Sequence, residues 1–206
     1  MSVREGIFAA LYDPLGAHWE RKHGAELRRK LVGHVNGRVL EIGVGTGQSF
    51  AHYPEVRELV GVEPSEPMRR RAEMRAAELG REVTLVEAPA EDLPFEDESF
   101  DTVVTMAVLC TVDDPEQSVR EIRRVLRPGG RFRFLEHVRA PNPRLARWQD
   151  RLERQWGFVA GGCHPNRNTL ETIETGGFEV VDLEQGELPG QPPLVRPFVL
   201  GTAVRS

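Results

Sequence analysis

The sequence predicts an α/β fold, a single domain in which a largely parallel sheet carries helices on both faces. Three observations lead there. Short β-branched runs alternate along the chain with longer stretches at helical spacing, the pattern of strands linked by crossover helices. One run, residues 100–107, is almost continuously apolar, as a strand buried on both faces should be. The length of 206 residues, with no repeat and no low-complexity linker, suits one domain with its own core.

Residues 17–34 read as an amphipathic helix, with Trp19, Leu27 and Leu31 as its apolar contacts. A first strand, Arg38–Ile42, runs into a glycine-rich turn and a helix near residues 47–53. A second strand follows at Glu58–Val62. Ser65 is placed to cap the next helix, Pro67 fits its first turn, and Gly80 ends it after Leu79. Met68, Ala72, Ala76 and Leu79 share one of its faces. Residues 82–86 and 100–107 are the third and fourth strands. Asp114 and Pro115 open a helix whose Val119, Ile122, Val125 and Leu126 recur at helical spacing, and Pro128, Gly129 and Gly130 end it. A fifth strand covers 131–137. Helices over 144–157 and 167–175, with Asn166 as the cap of the second, precede two last strands near 178–184 and 197–204.

Composition excludes several functions. A formal net charge of −5 gives no bulk cationic field for a nucleic acid. The two cysteines, Cys110 and Cys163, form no framework of the secreted type and read as free thiols of a reducing cytoplasm. The six histidines fall into no ligand spacing, so no metal site is expected. The first twenty residues lack the apolar core of a signal peptide, and no segment approaches a membrane span. The basic cluster of Arg21, Lys22, Arg28, Arg29 and Lys30 is diluted by Glu20 and Glu26, and reads as a solvated helix face before a peripheral membrane contact.

The most informative stretch is Val39-Leu40-Glu41-Ile42-Gly43-Val44-Gly45-Thr46-Gly47, a strand entering a GxGxG turn. Glycine is needed where the chain turns tightly or where backbone must approach a ligand. Glu63, at the end of the second strand, is placed to accept both hydroxyls of a ribose. Together they point to a nucleoside-containing ligand. A dinucleotide fingerprint would put Gly or Ala three residues after its second glycine; Gln48 stands there instead.

At these residues the chain resembles the class I S-adenosylmethionine-dependent methyltransferases, over residues 37–137. VLEIGVGTG looks like their first motif, and Glu63 with Pro64 and Ser65 like their second. AEDLPFEDESFDTVVTMAVLC and RVLRPGGRFRFLEHV resemble the segments that complete the core. The resemblance implies a seven-stranded Rossmann-like sheet of order 3-2-1-4-5-7-6 with strand 7 antiparallel. It implies a helical lid over 1–35, a cofactor-binding core over 37–137 and substrate-side elements over 138–206. S-adenosylmethionine would be the cofactor and S-adenosylhomocysteine the product. By family position, Gly43, Gly45 and Gly47 would face the methionine part and Glu63 the ribose, with Glu41 and Pro64 among the binding positions. Met68 would flank the adenine, Ala90 and Glu91 would approach its edge, and Met106, Ala107 and Val108 would pass the methionyl portion. Many relatives carry an Asp two residues before the Glu of the third motif. Pro89 stands there, so the contact to the adenine amino group falls to Glu91 or to the Ala90 backbone.

The C-terminal half, with Trp148, Trp156, Gly162-Cys163-His164-Pro165-Asn166-Arg167 and Leu194-Val195-Arg196-Pro197, is similar to the methyltransferase-like thiol S-methyltransferases of animal microsomes. Those proteins carry an N-terminal membrane anchor that finds no counterpart here. Phospholipid N-methyltransferases and quinone C-methyltransferases share the core motifs, and a cofactor-binding regulatory domain is the non-enzymatic alternative.

Methyl transfer from a sulfonium is an in-line displacement that needs alignment and exclusion of water, with no covalent protein intermediate. His137, at the end of the fifth strand, and His164, in a glycine-rich loop, are the two candidate bases; either could equally be a packing histidine. Tyr12, with Asp13 and Trp19, belongs to the expected lid, where an aromatic face could stabilise the sulfonium. Arg167 is either an anion ligand or a surface residue.

Overall fold

A computed structural model describes residues 3–206. Among them run the strands β1 (Arg38–Ile42), β2 (Glu58–Val62), β3 (Thr84–Val86), β4 (Phe100–Met106), β5 (Leu126–His137), β6 (Phe178–Glu187) and β7 (Pro197–Arg205). Their order in the sheet is β3-β2-β1-β4-β5-β7-β6. The first five pair in parallel, while β7 lies antiparallel between β5 and β6. This is the order that the family resemblance implies, including the reversed last strand.

Strand alternation builds two cores, one per face. Leu40, Ile42, Val60, Val62 and Val103 enter the first. Val39, Leu59 and Val104, on the opposite side of the pleat, enter the second. Helix α4 (Pro115–Val125) closes the first core with Val119, Ile122 and Val125, all fully buried. Each such aliphatic side chain contributes about 1.5–3 kcal/mol relative to exposure. The second core is closed by α2 (Ala25–Val32), through Leu31 and Val32, and by α3 (Glu66–Glu78), through Ala72 and Ala76. Asp114 caps α4 as expected, its carboxylate accepting the Gln117 N–H at 2.8 Å.

The structure departs from the sequence reading at several boundaries. The N-terminal helix begins at Val3, not residue 17. α1 (Val3–Trp19) passes through Pro14 and continues by a π-helical turn, Glu20–Gly24, into α2. Pro14 argues for a break because it removes a helical N–H; tertiary bonds from Asp13, described below, hold the segment regardless. The element after the glycine turn is a single 3₁₀ stretch, Gln48–His52. Ser65 makes no side-chain cap bond, and its N–H is taken by Glu63 instead. Leu126 pairs with Phe100, so β5 starts before the Pro-Gly-Gly segment and carries a register shift there. Helix α5 (Pro143–Val159) is capped by Asn142. Helix α6 (Thr169–Thr175) starts after Asn168, while Asn166 instead donates to Asp150. No helix among the described residues is long and apolar enough to cross a membrane.

Candidate active site

The carboxyl ends of β1, β2, β4 and β5 converge on one edge of the sheet, where open α/β sheets bind ligands. The β1 turn is locked by backbone bonds. The Gly43 and Val44 N–H groups both donate to Val62 O, and Gly47 N–H donates to Val44 O. Gly43, Gly45 and Gly47 all have positive φ, +68°, +55° and +75°. A Cβ on Gly43 would lie 2.6 Å from Val108 Cγ2, and one on Gly47 2.6 Å from the Phe50 ring. At Gly45 a Cβ would meet nothing within 4 Å. Gly43 and Gly47 are therefore bare for packing, and Gly45 leaves backbone facing open space.

Glu63 is only 8% exposed. Its Oε2 accepts the Gly45 N–H at 3.0 Å and its Oε1 accepts the Ser65 N–H at 2.9 Å. Burial pushes its pKa up, and those two N–H groups work against the rise. One bond to each oxygen fixes the plane of the carboxylate and leaves each a further lone pair. Bare backbone at Gly45 beside an oriented, acceptor-only carboxylate fits an adenosyl ligand with a ribose diol.

Around this pair, Met68 is buried in the first turn of α3, Ala90 is buried after β3, and Pro64 is exposed. Glu91 is committed elsewhere: its Oε1 accepts the N–H groups of Asp113 and Asp114 at 2.9 and 3.2 Å, and its carbonyl accepts Gln117 Nε2. Glu41 does not reach the ligand-binding edge with its side chain. It lies 2% exposed beneath the 3₁₀ stretch, facing Ser49 and Tyr53, and burial raises its pKa to about 7. Its Oε2 and the Tyr53 hydroxyl have no hydrogen-bond partner within range. Arg28, bonded to Ser49 Oγ at 2.8 Å and to Gln48 Oε1 at 3.2 Å, ties α2 to the same stretch.

The first helix is fastened to the turn by Asp13. Its Oδ1 accepts Thr46 Oγ1 at 2.7 Å and Gln48 Nε2 at 2.6 Å, and its Oδ2 accepts Arg75 Nη2 at 2.8 Å. Tyr12, one residue earlier, is 43% exposed on α1. The neighbour of the expected aromatic therefore does the anchoring, a role not visible in the spacing.

The loop after β4 forms the other flank. Met106 and Ala107 are partly exposed. Ala107 has φ +57°, a left-handed conformation costly for a residue with a Cβ. Its N–H donates to Leu135 O at 2.8 Å. The fully buried Glu136 accepts the Val108 N–H at 3.1 Å and the Cys110 N–H at 3.4 Å, and burial pushes its pKa up. Arg167 Nη1 donates to Leu109 O and Val112 O, both at 2.7 Å. Arg167 is thus a clamp on this loop, neither of the two roles expected of it. Glu136 was missed by the sequence reading, although an acid inside an apolar strand was a signal.

The clamped loop carries Cys110 to His137. Cys110 Sγ lies 3.8 Å from His137 Nδ1, Cys163 Sγ lies 3.7 Å from the same nitrogen, and the two sulfurs are 3.7 Å apart. Both cysteines are free and buried. The sulfur–sulfur contact with Cys110, with help from His137, holds the Cys163 thiol below its ordinary value, while the same contact drives Cys110 up. His164 sits beside the cluster without joining it; its ring nitrogen meets Glu153 Oε1 of α5. Two surface grooves, one lined by Arg120, Arg123 and Gly177 and one by Glu116, Arg167 and Thr172, do not include the glycine turn.

Fold and turn define an S-adenosylmethionine-dependent methyltransferase of the Rossmann-like class. Residues 40–134 match the model of the family described as "Methyltransferase domain". The chain is 35% identical over 193 residues to thiol S-methyltransferase TMT1B of Homo sapiens, covering 86% of this chain and 78% of that one. It is 39% identical over 132 residues to a phosphatidylethanolamine N-methyltransferase of Cereibacter sphaeroides, covering 62% and 65%. In structure it is similar to a Thermotoga maritima S-adenosylmethionine-dependent methyltransferase described as a possible histamine N-methyltransferase. That match has a TM-score of 0.71 at 22% identity, over 97% of this chain and 98% of the other. The chain belongs to the S-adenosylmethionine-dependent methyltransferases, and is an enzyme that uses this cofactor and releases S-adenosylhomocysteine.

Proposed function

We propose that the acceptor is a small-molecule thiol. The observation that carries this reading is the acceptor flank itself, where His137 Nδ1 lies 3.8 Å and 3.7 Å from the sulfurs of the buried Cys110 and Cys163. A thiol, with a pKa near ~8.5, needs only modest help to lose its proton at neutral pH. The animal relatives at 34–36% identity are named thiol S-methyltransferases, which supports the same class.

The methyl donor's sulfonium, when bound, supplies an electrophilic methyl group. For the chain's own residues we assign the following work. In the turn that Gly43 and Gly47 shape by close packing, Gly45 presents bare backbone to the methionyl part, and Glu63 accepts the ribose hydroxyls. Met68 and Ala90 bound the adenine, and Met106 with Ala107 lines the methionyl end. Tyr12 lies on the covering helix, and Glu41 supports the turn from below. His137 is the group that activates the thiol, and His164 is a positioning residue anchored to Glu153. The two free thiols suit a reducing, cytoplasmic compartment.

Incubation with labelled S-adenosylmethionine and a panel of alkyl thiols, amines, quinols and phosphatidylethanolamine vesicles tests the acceptor. Label should enter the thiols at least tenfold faster than the rest (roughly 1.4 kcal/mol in barrier); transfer to amines or quinols alone would sink the reading. A phospholipid acceptor is the second reading. It is favoured by the exposed Leu15 on α1 and the exposed Trp148 and Val159 on α5, and preferential labelling of the vesicles would select it. Replacing Glu63 by Ala should weaken cofactor binding by about 1.5–3 kcal/mol in calorimetry, the scale of lost charge-assisted bonds.

A further inference from the structure

We infer that Cys110, His137 and Cys163 form a binding site for one thiophilic divalent cation of the zinc class, with its fourth coordination position left for an exogenous ligand. The three residues come from the post-β4 loop, the end of β5 and the loop after α5. Their donor atoms all lie within 4.8 Å of one another.

The separations match a metal polyhedron. Four-coordinate zinc with Zn–S near 2.3 Å and Zn–N near 2.0–2.1 Å sets its sulfurs about 3.8 Å apart and a sulfur and nitrogen about 3.6 Å apart. The observed values are 3.7 Å between the sulfurs and 3.7 and 3.8 Å from sulfur to Nδ1. Two thiolates and a neutral imidazole around a divalent cation sum to zero charge, which suits residues that are 0% and 5% exposed at the cysteines. Two soft sulfurs and one imidazole select zinc-class ions over magnesium or calcium.

The surroundings are built to hold that set. Glu136 accepts the Cys110 N–H, the His164 N–H donates to Cys110 O at 2.6 Å, and Arg167 bonds the carbonyls on either side of Cys110. Trp156 packs against the cluster, and its buried indole N–H has no nitrogen or oxygen partner. It faces Cys163, where such a donor favours thiolate sulfur.

Three protein ligands with an open fourth position are the pattern of catalytic rather than structural zinc. Ala107, assigned above to the methionyl end of the cofactor, packs against the same cluster. Resting on the thiol reading, the fourth ligand is the acceptor sulfur. On binding, its S–H proton passes to solvent and its electron pair stays on sulfur as the metal–sulfur bond forms. His137 then activates the acceptor through the ion it holds.

Titration of the fully reduced full-length protein with Co²⁺, with free thiols counted beforehand, tests the site. One equivalent should bind, giving a thiolate-to-cobalt charge-transfer band and the visible bands of a four-coordinate ion. Cys110→Ser, Cys163→Ser and His137→Ala should each weaken binding by at least the ~10- to 100-fold that loss of an outer-shell partner costs, with circular dichroism unchanged. Cys163→Ser is the least disruptive to folding. Adding an alkyl thiol should shift the charge-transfer band. Absence of binding in protein with both thiols reduced, or serine variants that bind as tightly as the intact protein, would overturn the site. A band indifferent to added thiol would overturn the open position. Calorimetry of S-adenosylmethionine on the metal-free protein separates these outcomes from failure of the cofactor assignment.

Discussion

The donor flank and the acceptor flank of this site are built on different plans. The donor flank uses near neighbours in sequence: the turn at Gly43–Gly47 and Glu63 belong to adjacent strands and touch through one hydrogen bond. The acceptor flank draws on three distant segments, and Cys163 meets Cys110 across 53 positions. A ligand held mainly by backbone needs a short motif. A cluster of side chains at mutual contact distance needs only a fold that returns them to one place, so no spacing announces it.

If the donor flank rests on a buried carboxyl, pH should reveal it. Glu41 has a folded pKa near 7, above its ordinary value of 4.5. The folded state therefore holds a proton that the unfolded chain has released. The Glu41 contribution to stability should be fullest below about pH 4.5 and should fall as pH rises towards 7, by roughly 3 kcal/mol in all. Glu41→Gln should flatten that slope in denaturant titrations between pH 4.5 and 7.5; a variant that keeps the wild-type slope would clear Glu41 of the role. On the acceptor flank, Glu136→Ala strips two buried N–H groups of their acceptor and should cost about 2–3 kcal/mol of stability. Cofactor affinity should stay close to that of the intact protein, and an equal loss of both would erase the distinction between the flanks. The smallest effect divides the glycines themselves. Gly43→Ala meets both a left-handed φ and Val108, and should destabilise by about 2 kcal/mol; Gly45→Ala meets only the φ cost, about 1 kcal/mol. The order of their melting temperatures reads this directly.

Much of the fold was legible because its signals are local. The continuous burial of β1, β2 and β4 matches their near-continuous apolar runs, and the buried face of α4 matches its helical spacing. The sheet order came with the family resemblance, not from spacing. The N-terminal helix was misread because Asp13-Pro14 carries a local break signal, whereas what holds the segment is Asp13 bonded to Thr46, Gln48 and Arg75. Arg167 was ambiguous for the same reason, since its partners Leu109 O and Val112 O are more than fifty positions away. Glu91 reads as a ligand contact by position, and only the structure shows its Oε1 accepting the N–H groups of Asp113 and Asp114 at the start of α4.

Asp13 has one more implication, for handling the protein. A single carboxylate splices the opening helix to segments 33 and 62 positions downstream. Trimming the chain back to its first strand would strip three donors, on Thr46, Gln48 and Arg75, of their shared acceptor, so a fragment that keeps the glycine turn tied as it stands reaches back at least to residue 13.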